Sequence, residues 1–330
     1  MKTTTIRVSV SAVLACSLAF AADAPVRVKI STILPRGSST FQILQEMGAK
    51  WREVGVTPIF YPDGVMGGET ETISRIRVDQ IQGAVLSVGG LGDIDRAPAG
   101  LQLLPMMFKS LEEVEWVQER LRPILDKRLA DRGFITLMWA DAAWVQLFSR
   151  KGGLRPDDYR NKRLFALAGE KAQADLMKAA GFDPVSLEYT DITTGLQTGQ
   201  IDIVPTAPFF ALAGQFYQPA PYMLEMNYAP VVGALVMNRR AWDSIPEGSR
   251  DAVRKAAEEA GRRISARSKV EMRESIEAMQ KRGLTVIKLT PAAEAEWRAL
   301  FASLHPKIRG TMVPADIFDE VVRLVGEYRK

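Results

Sequence analysis

Two pairs of carboxylates, Asp93 with Asp95 and Asp157 with Asp158, are the residues whose spacing first suggests catalysis. Neighbouring carboxyl groups can serve as general acid and general base when their environments separate their pKa values. Both pairs fall in expected loops beside arginines, where solvated acids are the commoner outcome. We therefore expect neither pair to be catalytic.

The other reactive residue types are too few for the usual catalytic or metal-binding sites. The chain has one cysteine, Cys16, and one histidine, His305. A zinc site, a thiol nucleophile with a histidine base, and a disulfide framework each need more such residues. The glycines of residues 89–92 lack the third glycine and the lysine of phosphate-binding loops. The sequence thus predicts no enzyme, no metal site and no cofactor.

Aromatic residues are more informative, because they concentrate between Trp139 and Tyr228 and alternate there with prolines. Packing in the core accounts for most aromatic residues taken singly. As a group, these residues are numerous enough to line a cleft.

The chain is long and apolar enough to position such a cleft between two domains. It has 330 residues, of which 47% are apolar and 25% charged. That length allows two domains with substantial cores, and the composition excludes a disordered chain.

Strand-like and helix-like segments alternate along the chain, which favours an α/β fold with mostly parallel sheets covered by helices. The predicted strands are residues 26–34, 56–61, 83–88, 134–139, 145–149, 163–167, 201–206, 231–237 and 284–289. The predicted helices are residues 40–54, 69–78, 111–131, 170–180, 192–198, 246–282, 291–304 and 315–328.

The predicted helix of residues 246–282 is the longest uniform segment. Pro246 suits its first turn, Gly283 suits its end, and no proline interrupts it. At about 1.5 Å per residue the helix is longer than one domain is wide, so it should span both. Its basic residues alternate with acidic ones, which indicates a solvated face rather than a nucleic-acid-binding arm.

The first 25 residues are typical of a cleavable export signal. Lys2 and Arg7 precede an apolar run over residues 8–20 that is too short to span a bilayer. The mature protein should therefore work in the periplasm. A lipoprotein signal ending at Cys16 is the alternative. Loss of the segment leaves a small positive net charge, which does not indicate nucleic-acid binding.

Five segments resemble those of one known family, the periplasmic solute-binding proteins of tripartite ATP-independent periplasmic (TRAP) transporters of the C4-dicarboxylate-binding (DctP) type. The segments are PDGVMGGETETISRIR (62–77), LPMMF (104–108), LQTGQID (196–202), MNRRAWDSIP (237–246) and, more loosely, RPDDYRNKRL (155–164). They keep the order and spacing of the family over nearly the whole mature chain.

The resemblance implies a two-lobed periplasmic binding protein fold, type II-like, with the long helix behind both lobes. Residues 26–147 and 231–265 would form lobe I, residues 148–230 and 266–305 lobe II, and residues 306–330 a C-terminal helix on both. A cleft between the lobes would close about a hinge on one small solute. The implied partners are that solute and the small and large membrane subunits of a permease. No nucleic acid is expected, and the protein is expected to be a monomer.

The positions that grip the solute's carboxylate in this family differ in this chain. By resemblance, the usual arginines align with Phe165 and Trp144, and a frequent asparagine aligns with Thr206. A buried carboxylate without its partner costs about 3 to 5 kcal/mol, whereas apolar ligand surface buried on rings contributes roughly 25 cal/mol per Å². We therefore expect an apolar, aromatic or lipid-like solute rather than a C4-dicarboxylate. The expected ligand-binding residues are Trp139, Trp144, Arg163, Phe165, Thr206 and Phe209.

Two other functions stay open. A protein of this fold can act without a permease, as a periplasmic carrier or sensor of a hydrophobic molecule. Alternatively, Arg163 lies two residues before Phe165 on the same predicted strand and would restore a cation to the pocket. The protein would then be a receptor for an organic acid.

Overall fold

The structure, a computed structural model, describes residues 25–168 and 171–330. The predicted export signal, Cys16 and Glu170 lie outside the described residues. Within these ranges one sheet contains β1 (Val26–Thr32), β2 (Val56–Tyr61), β3 (Gly83–Ser87), β4 (Phe134–Ser149), β5 (Arg163–Leu167), β6 (Asp183–Leu187), β7 (Ile203–Thr206), β8 (Tyr222–Asn238) and β9 (Thr285–Lys288).

The sheet is parallel towards its two ends and antiparallel at its centre. Its strand order is β2-β1-β3-β8-β4-β7-β5-β6, with β9 on β8. β1 pairs in parallel with β2 and β3, and β5 pairs in parallel with β6 and β7. β3, β8, β4 and β7 pair in antiparallel fashion. The two-lobed α/β prediction is confirmed, and the antiparallel pairings arise because β4 and β8 run from one lobe into the other.

Both connecting strands are longer than the sequence predicts. β4 unites the two predicted strands of residues 134–139 and 145–149, and β8 begins at Tyr222 rather than at Val231. β-Bulges interrupt the pairing of β4 with β8 at three points. These irregularities account for the interrupted strand signal, since a bulge breaks the two-residue alternation of side chains.

The helices cover the faces of this sheet. In the described residues they are α1 (Ser39–Glu53), α2 (Glu69–Arg77), α3 (Val88–Gly92), α4 (Leu111–Asp131), α5 (Pro156–Tyr159), α6 (Lys171–Ala179), α7 (Ile192–Thr198), α8 (Pro208–Ala213), α9 (Arg239–Ser244), α10 (Glu247–Gln280), α11 (Pro291–Ala302), α12 (His305–Ile308) and α13 (Ala315–Tyr328), with short 3-10 turns at Ala97–Leu101 and Tyr189–Asp191.

The long helix α10 packs along both lobes, as the sequence predicts. It contacts α1 in lobe I, the connecting strand β4, and α8 in lobe II. Gly261 permits the close approach to β4, because a Cβ atom there would lie 2.4 Å from the carbonyl oxygen of Trp139. The Trp51 indole N–H donates to the carbonyl of Val253 at 3.0 Å and fixes α1 against α10.

Three clusters of buried apolar residues form the core. One lies between α1, α10 and the strands of lobe I, and another lies within lobe II around Phe148 and Leu196. The third joins the lobes and continues into the C-terminal helices, where Trp297 stacks on Phe301 with ring centroids 5.7 Å apart. The lobes therefore share core residues as well as two strands.

Candidate functional site

A cavity of about 190 Å³ lies between the lobes, beside the connecting strands. Lobe I contributes the segment after the first 3-10 turn, lobe II contributes β5, α6 and β7, and β4 and β8 form the wall between them. The lining residues are Gln102, Leu103, Pro105, Val145, Leu164, Phe165, Ala166, Leu167, Gln173, Leu176, Met177, Pro205, Tyr228, Ala229 and Met312.

The side chains that line this interlobe cavity are mostly apolar. Among the residues that the structure describes, no aspartate, glutamate, lysine, arginine or histidine lines it. Its polar groups are the Gln102 and Gln173 amides and the Tyr228 hydroxyl, which lies 3.7 Å from the Met177 sulfur. Burial raises the pKa of Tyr228 above its usual value of 10, so this hydroxyl stays neutral. The cavity can offer hydrogen bonds but no formal charge.

A bulge in β8 brings Tyr228 into the lining. Residues 225–228 leave the regular pairing with β4 opposite Gln146. The Gln146 Oε1 accepts the backbone N–H groups of Met226 at 2.9 Å and Asn227 at 3.0 Å, while its Nε2 donates to Asn227 Oδ1 at 3.0 Å. One buried side chain thus replaces the ladder bonds that the bulge removes. Asn227 takes the left-handed backbone conformation that the turn requires, with φ of 50°.

Gln102 is fixed at the opposite edge of the cavity. Its Oε1 accepts the backbone N–H of Val232, on β8, at 3.1 Å. Because a backbone N–H can only donate, this contact determines which end of the amide is the oxygen. The amide is therefore held between lobe I and a connecting strand, within the lining of the cavity.

Of the six predicted ligand-binding residues, Phe165 lies in the cavity lining. It is half-buried on β5 and also packs against the lobe II core. The neighbouring wall on β4 is formed by Val145, whereas Trp144 is buried in the core cluster that joins the lobes and lies outside the lining. The two positions that the family pattern groups together therefore differ in their access to the cavity.

Trp139 and Arg163 are engaged elsewhere. The Trp139 indole N–H donates to Asp126 Oδ1, on α4, at 2.9 Å. Arg163 forms two side-chain hydrogen bonds with Asp202, at 3.0 and 3.2 Å, on the surface of lobe II. Burial raises the pKa of Asp202, but the hydrogen bonds from Arg163 and the charges of Arg163 and Arg150 outweigh it and hold the pKa below its usual value. Arg163 is thus the ion-pair partner of Asp202 and does not line the cavity.

Thr206 and Phe209 belong to an aromatic group of lobe II. Thr206 is buried, and its hydroxyl opposes in part the burial that raises the pKa of Tyr189 to about 12. The Phe209 ring lies 4.1 Å from the Phe210 ring, and Tyr189 packs edge-on against Phe210 at 6.2 Å. Neither Thr206 nor Phe209 lines the cavity, although Pro205, next to Thr206, does.

A glutamate within the segment of residues 62–77 plays a structural part in lobe I. Glu69 accepts hydrogen bonds from Ser87 N at 2.6 Å, from Ser87 Oγ at 2.5 Å and from Gly90 N at 3.1 Å. Burial raises the pKa of Glu69 above 4.5 despite these bonds. This carboxylate ties the start of α2 to the turn between β3 and α3, away from the interlobe cavity.

A second, open depression lies on the outer face of lobe I, between α1 and β2. Its volume is about 430 Å³, and Arg36 and Arg52 are among its lining residues. Arg36 also pairs with Asp63, with 3.6 Å between Nε and Oδ2. These cations are remote from the interlobe cavity, so they supply no charge to it.

In the described part of the chain, no group of three or more histidine, cysteine, aspartate or glutamate side chains is arranged to hold a metal ion. None of its helices combines the length and apolar character needed to cross a membrane.

Most of the lining residues carry no local sequence signal that marks them as site residues. Gln102 lies two residues before the segment of residues 104–108, and nothing in its local pattern marks it. Tyr228 reaches the cavity because of the bulge, which depends on the distant Gln146. Leu176 and Met177 follow the spacing of an ordinary buried helix face. Only the alignment with the known family singled out Phe165.

The sequence matches a known family over most of its length. Residues 30–310 match the bacterial extracellular solute-binding proteins, family 7 (DctP). The C4-dicarboxylate-binding periplasmic protein DctP of Rhodobacter capsulatus is 22% identical over 303 residues, which cover 89% of this chain and 90% of that protein.

Solved structures share the two-lobed fold. A TRAP periplasmic solute-binding protein from Ochrobactrum anthropi, with its C-terminus bound in the ligand-binding pocket, has a TM-score of 0.84 and 21% identity and covers 92% of this chain and 95% of its own. Another, from Chromohalobacter salexigens with bound D-glucuronate, has a TM-score of 0.81 and 18% identity, with 91% and 99% covered.

Proposed function

We propose that this chain, which belongs to family 7 of the bacterial extracellular solute-binding proteins, captures a neutral, mainly apolar solute in the interlobe cavity. The proteins of this family are the non-enzymatic receptors of TRAP transporters. The solute is held by ring and aliphatic side chains rather than by an ion pair. In this proposal the protein works in the periplasm after its export signal is removed, and it delivers the solute to permease subunits in the membrane.

The observation that carries the proposal is the chemistry of the cavity lining. The relatives are named for acids: one for C4-dicarboxylates and another for its bound D-glucuronate. By resemblance, the arginine that usually binds the solute's carboxylate in this family aligns with Phe165. Here that position presents a phenyl ring, and no cationic side chain among the described residues lines the cavity. A carboxylate buried there would lack a counter-charge, at a cost of about 3 to 5 kcal/mol.

The volume of the cavity limits how large the solute can be. Ligand pockets commonly measure about 300 to 1,000 Å³, so this cavity of about 190 Å³ is small. An apolar cavity of about 150 Å³ is enough to hold a benzene molecule. The cavity in this form therefore suits a single ring or a short branched chain. A longer, lipid-like solute would require the lobes to separate further.

The two connecting strands supply the means of capture. β4 and β8 are the strands that pass between the lobes, and both also line the cavity through Val145, Tyr228 and Ala229. A change in the angle between the lobes would therefore change the shape of the cavity directly. Closure about these strands would exclude water and bury the solute on both sides.

The competing hypothesis of an organic acid bound through Arg163 receives less support. The guanidinium of Arg163 already pairs with Asp202, and the hydrogen bonds from Arg163 lower the pKa of that carboxyl group. To meet a solute in the cavity, Arg163 would have to leave this partner and turn inward from an exposed position. Either change has a free-energy cost that the neutral solute avoids.

Binding of acids to the wild type and to a Phe165→Arg variant tests the proposal. Isothermal titration calorimetry with succinate and D-glucuronate should give no binding to the wild type at millimolar concentration. Phe165→Arg should gain binding of at least one of these acids. The control is Val322→Arg, because Val322 is an exposed apolar residue on α13 that lines neither the cavity nor the second depression. Micromolar binding of either acid to the wild type would overturn the proposal.

The carrier or sensor without a permease is distinguished by uptake rather than by binding. Delivery to a permease predicts that uptake of the bound solute into cells falls when the gene is deleted and returns with the wild-type protein. Unchanged uptake after deletion, with binding intact, would support the carrier or sensor instead.

A further inference from the structure

Gln102 is a polar side chain of the cavity whose amide is oriented by a hydrogen bond at its oxygen. Its Oε1 accepts the Val232 N–H at 3.1 Å. Its Nε2 has no hydrogen-bond acceptor among the described residues. Two N–H donors of a neutral amide therefore remain in a lining whose other side chains are mostly apolar, apart from Gln173 and Tyr228.

A donor group left without a partner in such a place favours one class of solute. Gln102 is half-buried, so water in the open cavity can accept bonds from its N–H groups. A solute that displaces this water must accept the bond in its place, because a donor buried without a partner is unfavourable. A hydrocarbon cannot do so. A carboxylate can accept the bond, but a neutral amide does not compensate its charge.

We propose that the Gln102 amide donates a hydrogen bond to an accepting oxygen on the solute. The receptor would then select neutral carbonyl, ether or alcohol compounds with an apolar ring or chain. The inference rests on the proposed function, because it assumes that the interlobe cavity holds the solute. It adds a polar anchor on lobe I to the apolar surface formed by lobe II. The hydrogen bond between Gln102 and Val232 places this anchor at β8, a connecting strand. Binding of a solute there would affect the angle between the lobes.

Three single-ring probes separate the polar anchor from the apolar cavity. Acetophenone carries a carbonyl oxygen, ethylbenzene lacks it, and benzoate replaces it with a charged carboxylate. After exhaustive dialysis of the protein, calorimetry or ligand-observed NMR should rank acetophenone above ethylbenzene by roughly three- to tenfold in affinity. Benzoate should bind weakest.

Two variants of Gln102 test its role. Gln102→Glu keeps an oxygen that accepts the Val232 N–H but removes both donors, so acetophenone should lose its advantage over ethylbenzene. Gln102→Leu should also remove that advantage while retaining binding of ethylbenzene. Gln42→Leu, at an exposed position of α1, is the matched control and should leave the ranking unchanged. Thermal unfolding of each variant checks that the fold is retained.

The possible outcomes distinguish the two proposals. Equal affinities for acetophenone and ethylbenzene, unaffected by Gln102→Glu, would overturn the role of Gln102 and leave the apolar cavity standing. Tightest binding by benzoate would overturn the proposed function itself. Failure of all three probes to bind at millimolar concentration would count against both.

Discussion

Two glutamines that hydrogen-bond to β8 differ in how fully their amide groups are engaged. Gln146 is buried, and both ends of its amide are engaged with residues 226 and 227 of β8. Gln102 uses its oxygen on Val232, while its nitrogen has no acceptor among the described residues. The comparison indicates that the first amide is part of the scaffold, whereas the second is available to a solute. Residue type alone does not distinguish them.

The largest effect on stability is expected at Gln146. In Gln146→Leu, the backbone N–H groups of Met226 and Asn227 would lose their acceptor in a buried place. Each unsatisfied group costs about 1–3 kcal/mol, so loss of the acceptor for two groups should lower the free energy of unfolding by about 2–6 kcal/mol. Urea denaturation measures this change. Gln218→Leu, at an exposed position, should change it by less than about 0.5 kcal/mol. A stable Gln146→Leu protein would show that this amide is not part of the scaffold.

The next largest effect is expected on affinity, at Phe165. In Phe165→Ala, a solute held by apolar contact loses much of one ring surface. Full burial of a phenyl group contributes about 1.5–3 kcal/mol, so affinity for acetophenone should fall roughly tenfold or more. Calorimetry measures the loss, and Phe60→Ala is the control on lobe I. Unchanged affinity would mean that the solute does not occupy this cavity, and Gln102 would then lose its proposed role as well.

Elements with a regular residue pattern lie where the sequence predicts them. Strand β2 and helices α4, α7 and α13 lie where the periodicity predicts them, and α10 differs by a residue or two at each end. Regular alternation or a 3.6-residue period is a local property, so it can be read without knowledge of distant residues.

Features that depend on distant partners could not be read in this way. The first half of β8 pairs with β4 and β9, but its sequence contains Pro230 and the bulge around Asn227, which hide the strand pattern. The cavity lining combines residues from five strands and helices and from two loops. Phe165 was found because a family pattern marks its position, whereas Gln102 becomes visible only through its contact with Val232.

A smaller effect is expected at Arg163, and it sharpens the distinction between a surface ion pair and a ligand contact. Arg163→Gln should leave acetophenone binding unchanged, because the guanidinium pairs with Asp202 outside the cavity. The free energy of unfolding should fall by less than about 1 kcal/mol, since exposed ion pairs contribute little. Calorimetry and urea denaturation measure the two quantities. A loss of more than tenfold in solute affinity would instead favour the organic-acid receptor.

The smallest effect concerns His305, a partly buried polar group packed edge-on against Phe318. Burial lowers the pKa of His305 below 6.5, so the unfolded chain binds its proton first as the pH falls. Stability should therefore decrease as the pH is lowered from 6.5 through the lowered pKa. The contribution of Glu69 to stability has the opposite pH dependence. Its pKa is raised, so above pH 4.5 the folded state binds a proton more readily than the unfolded state does.

The histidine effect is isolated by comparing the wild type with His305→Gln at several pH values. Because His305 is the only histidine in the sequence, the variant removes all histidine titration. The difference in the free energy of unfolding between the two proteins should change between pH 7 and pH 5. A constant difference would show that the histidine titrates alike in the folded and unfolded chains.

The most direct test of the central claim is mass spectrometry of the solute that the protein carries when it is purified from its own cells without denaturation. We predict release of a neutral molecule with an apolar ring or short chain and at least one accepting oxygen, in about equal amount to the protein. A uronate or a dicarboxylate in that amount would contradict the account.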